Sequence, residues 1–346
     1  LSHPNLMVRL HAADQLVERG GDEAVKQLVA LIERTIHSGD ARHQAHAYWI
    51  LERLGKLDDK DLGKAVSTPN KDLRVHAMRI LAEKKTWSPQ YTAWLKGEMR
   101  FPNDALVQRL AIEALAAQPR PEHIEPLLGI GHNYFDAGDP HGKYAYRYAL
   151  REQFRNKEAW DNYDPKKHGG EYYVAEICKA IPSEHSATFL RGFIERTKNK
   201  SHELIRHAVR HGSDSATEWA IRHADQQFQF LPSYEPPDLP QHAVILKAIV
   251  QANQERGRKL SEEERTVMAA AVQRMLDTKL SRPNNSEMFT TVAELAGLLR
   301  MEKTLPTLIR MAQASRFNTQ LGKACVTAAV AIDPKEATKR LEEVLM

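Results

Sequence analysis

The sequence predicts an all-α fold built from repeated helical hairpins, and three observations carry that prediction. Small residues recur at a period of 32–34 residues through the first 150 positions. Each sits in a stretch with apolar residues four positions away on either side, which is the spacing of one helical face. The period-2 alternation rich in β-branched residues that marks strands is missing throughout.

The repeat is the first element to justify, because its period decides the whole fold. Five segments align on an alanine: Val8-Arg9-Leu10-His11-Ala12, Ala41-Arg42-His43-Gln44-Ala45, Leu73-Arg74-Val75-His76-Ala77, Val107-Gln108-Arg109-Leu110-Ala111 and His141-Gly142-Lys143-Tyr144-Ala145. The steps between these anchors are 33, 32, 34 and 34 residues. Four residues on stand Leu16, Trp49, Leu81, Leu115 and Ala149; four residues back stand Val8, Ala41, Leu73 and Val107 in the first four repeats. A small anchor lets adjacent helices approach closely. Second apolar runs lie between the anchored helices, at Glu23–Ile36, Lys60–Val66, Gln90–Met99 and Glu122–Ile130. Turn signals divide them: Gly20-Gly21-Asp22, Ser38-Gly39-Asp40, Thr68-Pro69-Asn70 and Phe101-Pro102-Asn103. One such hairpin cannot cover its own apolar face, so the units are expected to stack.

Later anchors fall at Ala175, Ala208, Ala243, Ala293 and Ala324, with looser spacing. Two segments interrupt the pattern. Asn156–Glu171 is polar and reads as an extended loop between repeats; Leu231–Pro240 holds four prolines in ten residues and reads as a linker. The expected organisation is therefore regular repeats over 1–155, irregular repeats over 156–230, a Pro-rich linker over 231–240 and C-terminal helical repeats over 241–346. Ser261-Glu262-Glu263-Glu264 reads as a helix start, with a serine cap and an acidic first turn.

Composition narrows the function classes. The 346 residues are 42% hydrophobic, enough to bury a large core without disulfides or metals. Lys and Arg total 49 against 45 Asp and Glu, and the balance is even along the chain: 33 against 31 before Leu231 and 16 against 14 from there on. No strongly basic lobe is present, which disfavours a nucleic-acid partner. Mean hydropathy is −0.53 and no apolar run is long enough for a membrane span, so no membrane insertion is expected. Cys178 and Cys325 are too far apart in sequence for a Cys-x-x-Cys motif; Cys178, in an apolar helix, is expected to be a buried structural thiol. Because the first residue is Leu1, a processed chain or a section of something longer is expected.

The turns Ser2-His3-Pro4-Asn5 and Thr68-Pro69-Asn70-Lys71-Asp72, leading into Val8-Arg9-x-x-Ala12 and Leu73-Arg74-x-x-Ala77-x-x-x-Leu81, resemble HEAT repeats. The resemblance implies a right-handed α-α superhelix of the HEAT/armadillo-like solenoid type, here with about ten hairpins. The run Ala41–Leu51 with Leu54-Gly55-Lys56-Leu57, together with Ala105–Leu115, looks like the HEAT region of large multidomain haem-binding dehydrogenase-like proteins of planctomycetes and verrucomicrobia. In those proteins the resemblance implies a β-propeller before the array, a c-type cytochrome domain after it and a periplasmic location. This chain contains neither a propeller nor Cys-x-x-Cys-His, so no catalytic or haem-ligating residue carries over and no cofactor is expected in it.

Candidate binding residues come from the repeat register. Arg9, Arg42 and Arg74 form one column, which would either hold the stack together through Asn5, Asp40 and Asp72 or meet an acidic partner. His11 and His76 share another column, one residue before the anchor. The stretch from His132 to Tyr148 gathers Tyr134, Asp136, Asp139 and Tyr144 with further aromatics and histidines, which would build either a ligand cleft or caps and inter-repeat packing. His43/His46 and His207/His211 have metal-like spacing on a helix, but the residue after His207 is Ala208, which removes the hydrolytic zinc pattern; surface histidines are the simpler reading. Nucleophile-elbow, Walker and dinucleotide motifs are missing, and Gly129-Ile130-Gly131 follows no strand. The expectation is a non-catalytic scaffold for a protein partner or flanking domains. The alternative is a HEAT-like nucleic-acid binder or glycosylase-like enzyme using the Tyr134–Tyr148 region.

Overall fold

A computed structural model describes residues 1–35, 41–100, 104–135, 139–228, 239–278, 286–315 and 319–345. Every regular element among them is helical, and the chain divides into two units, Leu1–Ile177 and Cys178–Met346.

The first unit holds α1 (Leu6–Arg19), α2 (Gly21–Thr35), α3 (Ala41–Arg53), α4 (Asp59–Ser67), α5 (Lys71–Glu83), α6 (Pro89–Arg100), α7 (Ala105–Ala117), α8 (Ile124–Gly129), α9 (Gly131–Phe135) and α10 (Pro140–Phe154). Three shorter helices follow: α11 (Lys157–Asn162), α12 (Pro165–His168) and α13 (Glu171–Cys178). The turn residues of the repeat start several of these helices. Asn5 caps α1, Asp58 caps α4, Asn70 caps α5, Asp104 caps α7 and Asp139 caps α10, each accepting backbone N–H bonds from the first turn.

The five helices carrying the aligned pattern pack in succession: α1 on α3, α3 on α5, α5 on α7, α7 on α10. The intervening helices α2, α4, α6 and α8 each pack on the next member of that row. Ala45, Ala77, Ala111 and Ala145 are buried at these crossings, whereas in α1 burial shifts one position, to Ala13.

In the second unit lie α14 (Glu184–Thr197), α15 (His202–His211), α16 (Ser215–Phe228), α17 (Leu239–Glu255), α18 (Glu262–Thr278), α19 (Ser286–Leu298), α20 (Leu305–Ala314), α21 (Gln320–Ile332) and α22 (Pro334–Leu345). The same alternation holds. α15, α17, α19 and α21 pack in succession, and α14, α16, α18 and α20 each pack on the following member. Ala208, Ala243 and Ala293 are buried; in α21 the buried position is Cys325 rather than Ala324. At Gly297 the backbones come so close that a Cβ would stand 2.8 Å from Ala328 Cα.

Helix C-termini are closed by side chains from later in the chain. Gln118 Nε2 donates to Ala82 O (3.1 Å) and Lys84 O (2.8 Å), and Gln153 Nε2 donates to Leu115 O (2.8 Å). Arg256 donates to Val209 O (2.9 Å) and Gly212 O (3.0 Å) at the end of α15. These bonds satisfy carbonyls that have no partner inside their own helix.

The segment Asn156–Glu171 is not an extended loop. It folds into α11 and α12, because Trp160 packs on Phe154 and donates to its carbonyl (2.7 Å), while Tyr163 donates to Gly169 O (2.8 Å). Gly169 and Gly170, with φ of 68° and 66°, supply the left-handed turn into α13. The serine cap of α18 is present and reciprocal: Glu264 N donates to Ser261 Oγ (3.1 Å) and Ser261 N to Glu264 Oε2 (2.8 Å). Most of the Pro-rich segment, together with Asp40, Asp136 and the Phe101-Pro102-Asn103 turn, lies outside the described residues.

Candidate functional site

A groove of about 1130 Å³ lies between α1, α3 and α5, lined also by the turn after α3 and by Tyr91 of α6. Because α1, α3 and α5 pack side by side, residues at neighbouring repeat positions on successive helices line it together. Arg9, Arg42, His46, Trp49 and His76 all face this space.

A polar chain links the three helices. Arg9 Nε donates to His46 Nε2 (3.2 Å), and its Nη1 donates to His3 O (2.7 Å) and Pro4 O (2.9 Å). Trp49 Nε1 donates to His76 Nδ1 (3.1 Å). Each imidazole therefore accepts through the named nitrogen, which requires it to be unprotonated there. Burial lowers the pKa of His46, with further lowering from Arg9 and His76; burial also lowers that of His76, with help from Arg79. Both shifts favour the neutral ring.

Charges at the other end of the groove are internally matched. Lys84 pairs with Glu52 at 2.6 Å, and Arg53 pairs with Asp14 at 3.0 Å. Asp59 accepts from Gln90 and from the Tyr91 hydroxyl, whose pKa is raised by burial and then by that carboxylate. Arg9 and Lys85 have no carboxylate partner among the described residues. The rim on α1 is apolar and open, with Leu6 51% and Leu10 41% exposed.

The remaining sequence candidates are dispersed. Arg74 turns to α6, where its Nη1 lies 3.1 Å from Glu98 Oε2, and not to Asp72. His11 is exposed, and Arg42 is exposed where it lines the groove. The Tyr134–Tyr148 stretch divides between interior and surface. Tyr134 is buried and stacks on the fully buried Tyr146, with ring centroids 6.0 Å apart; burial raises the pKa of both phenols. Asp139 caps α10, accepting from the N–H groups of His141 and Gly142 at 3.0 Å each. Tyr144 is 72% exposed and stacks on Tyr148 at 6.4 Å.

His207 is buried with its Nε2 2.9 Å from Ser186 Oγ, and its ring centroid lies 4.6 Å from that of His211. On the same helix, His202 is exposed and Glu203 pairs with Lys179 at 3.3 Å. Among the described residues no three His, Cys, Asp or Glu side chains gather as a metal site. Cys178 is buried, and burial raises its pKa well above the ordinary thiol value.

Sequence reasoning missed the groove's central feature. Trp49 stands where the third and fourth repeats carry leucine, and His76 follows 27 residues later, close to one repeat. A tryptophan at a leucine position, facing a polar residue of the next repeat, was the available signal. The chain matches no protein-family model and no curated protein sequence.

Proposed function

We propose that this chain is a HEAT-like α-solenoid scaffold which carries out no reaction of its own and binds a protein segment in the groove between α1, α3 and α5. One observation carries the reading. The helices with the aligned sequence pattern pack consecutively, so residues of α1, α3 and α5 open onto one partly apolar groove. Such a surface suits recognition of a chain segment: an apolar floor supplies area, and polar groups fix the register.

The segment belongs either to a separate protein or to a flanking domain. The resemblance to the dehydrogenase-like proteins favours the second, with the array as the central section of a multidomain redox protein. Intact mass and haem staining of the polypeptide from its native source separate the two: a much larger, haem-positive chain supports the multidomain form, and a haem-free chain near 39.3 kDa removes it.

The groove itself is tested by co-purification of an identified partner with the wild-type chain and with Trp49→Ala. Loss of the partner at an unchanged melting temperature supports the reading, whereas equal recovery by both proteins overturns it. The nucleic-acid alternative has weaker support, because the stretch that would carry it is split: Tyr134 and Tyr146 lie in the interior and Asp139 serves as a cap. Retention on a DNA column at moderate ionic strength would revive it.

A further inference from the structure

We infer that the α1–α3–α5 groove selects an acidic segment, one with two carboxylates three residues apart in a polyproline II-like extended chain and an apolar side chain between them. This rests on the scaffold reading and names the chemistry of the partner.

The argument begins with charge. The groove is lined by five permanent cations, Arg9, Arg42, Arg53, Lys84 and Lys85, against three carboxylates, Glu52, Asp59 and Glu83. Glu52 is answered by Lys84 and Asp59 by Tyr91 and Gln90, Arg53 is answered by Asp14, and Glu83 stands exposed at the end of α5. Among the described residues, Arg9 and Lys85 are lining cations with no carboxylate partner. Arg9 reaches only backbone carbonyls and the neutral His46, and Lys85 follows the C-terminus of α5. His46 and His76 neither add to that charge nor offset it.

Spacing comes from the bonds that tie the helices. Arg9 meets α3 at His46, and Lys84, beside Lys85, meets α3 at Glu52. Six residues of helix separate these points, about 9 Å at 1.5 Å per residue. An extended chain of the polyproline II type rises about 3.1 Å per residue and turns once in three residues, so two side chains three residues apart span that distance on the same face. Between the two cationic ends lie Ala13 and the half-buried Trp49, with exposed Leu10 on the rim, so the middle of the occupant is apolar. A polyanionic backbone fits less well, because the two cations without a carboxylate partner stand at the ends and the lining between them is apolar.

The test uses the full chain and a fluorescein-labelled peptide, Gly-Ser-Glu-Leu-Ser-Glu-Leu-Ser-Gly, against its analogue with both glutamates changed to glutamine. Anisotropy should show the acidic peptide binding about tenfold more tightly, with the advantage shrinking as salt rises. Lys85→Gln, an exposed change that leaves the fold alone, should remove part of that advantage, and Arg9→Gln the rest. Trp49 emission should shift when the peptide binds. Equal affinity for the two peptides overturns the charge selection while leaving the groove as a docking site. No binding of either peptide, or displacement of the acidic peptide by a single-stranded oligonucleotide, overturns the inference altogether. The scaffold reading is judged separately, by partner co-purification with Trp49→Ala.

Discussion

Removing the Arg74 side chain would strand Glu98, which lies 3.1 Å from the guanidinium at a place where the two side chains are only 13% and 17% exposed. Burial already raises the Glu98 pKa, and Arg74 offsets part of that rise. Arg74→Ala should therefore cost about 2–3 kcal/mol, the usual scale for a buried charge left without its partner. Arg42→Ala, at the same repeat position but exposed, should stay within about 0.5 kcal/mol. Urea unfolding of the two variants checks this, and equal losses would mean that the column acts as one structural ladder. The sequence makes these arginines equivalent because register fixes position along a helix. It does not fix which side chain reaches across, and Glu98 stands 24 residues downstream, on the first helix of the next hairpin. His11 and His76 differ for the same reason: one is exposed, and the other accepts a bond from Trp49.

Between elements, the decisive quantity is how closely two backbones approach. Gly297 on α19 sits against Ala328 of α21, so Gly297→Ala forces backbone to move. Overpacking of this kind costs about 1–3 kcal/mol, against about 1 kcal/mol gained from helix propensity. A net loss is expected. Gly97→Ala on α6 is the contrasting case, since nothing lies within 4 Å of the added Cβ, and it should gain up to about 1 kcal/mol. Denaturant midpoints of the pair decide the matter; a stabilised Gly297→Ala would show that the crossing relaxes freely. Elements of this sort were legible where small residues recur at a fixed period. They were hidden in Asn156–Glu171, whose polar composition masks Trp160 and Tyr163, two aromatics that fold the segment onto Phe154.

For the whole molecule, pH is the sharpest lever. His123, His207 and His242 are buried, and burial, as the largest cause for each, pushes their pKa values from 6.5 to about 4. Between those values the unfolded chain binds protons that the folded chain refuses, so stability is full above about pH 6.5 and falls as pH drops toward 4. The loss is on the order of 2–3 kcal/mol per histidine, comparable in total to the stability of a typical domain. His123 lies in the first unit and the other two in the second, so both units should weaken. Melting temperatures at pH 7.5, 6 and 5 should decline in order, and a flat series would refute the assignment. The all-helical class and the hairpin alternation could be read in advance, since both follow from periodicity. These buried histidines could not, because a single histidine on an amphipathic helix carries no mark of the depth at which it packs.

The side chains that close helix ends point one way. Gln118, Gln153 and Arg256 each reach back to carbonyls earlier in the chain. Unravelling within each unit is therefore directional. Peeling away a later helix uncaps the one before it and invites the next loss, whereas peeling away an earlier helix leaves the later one's own closures in place. Erosion from the C-terminal side of a unit propagates like a pulled thread, and erosion from the N-terminal side stops at the next seam.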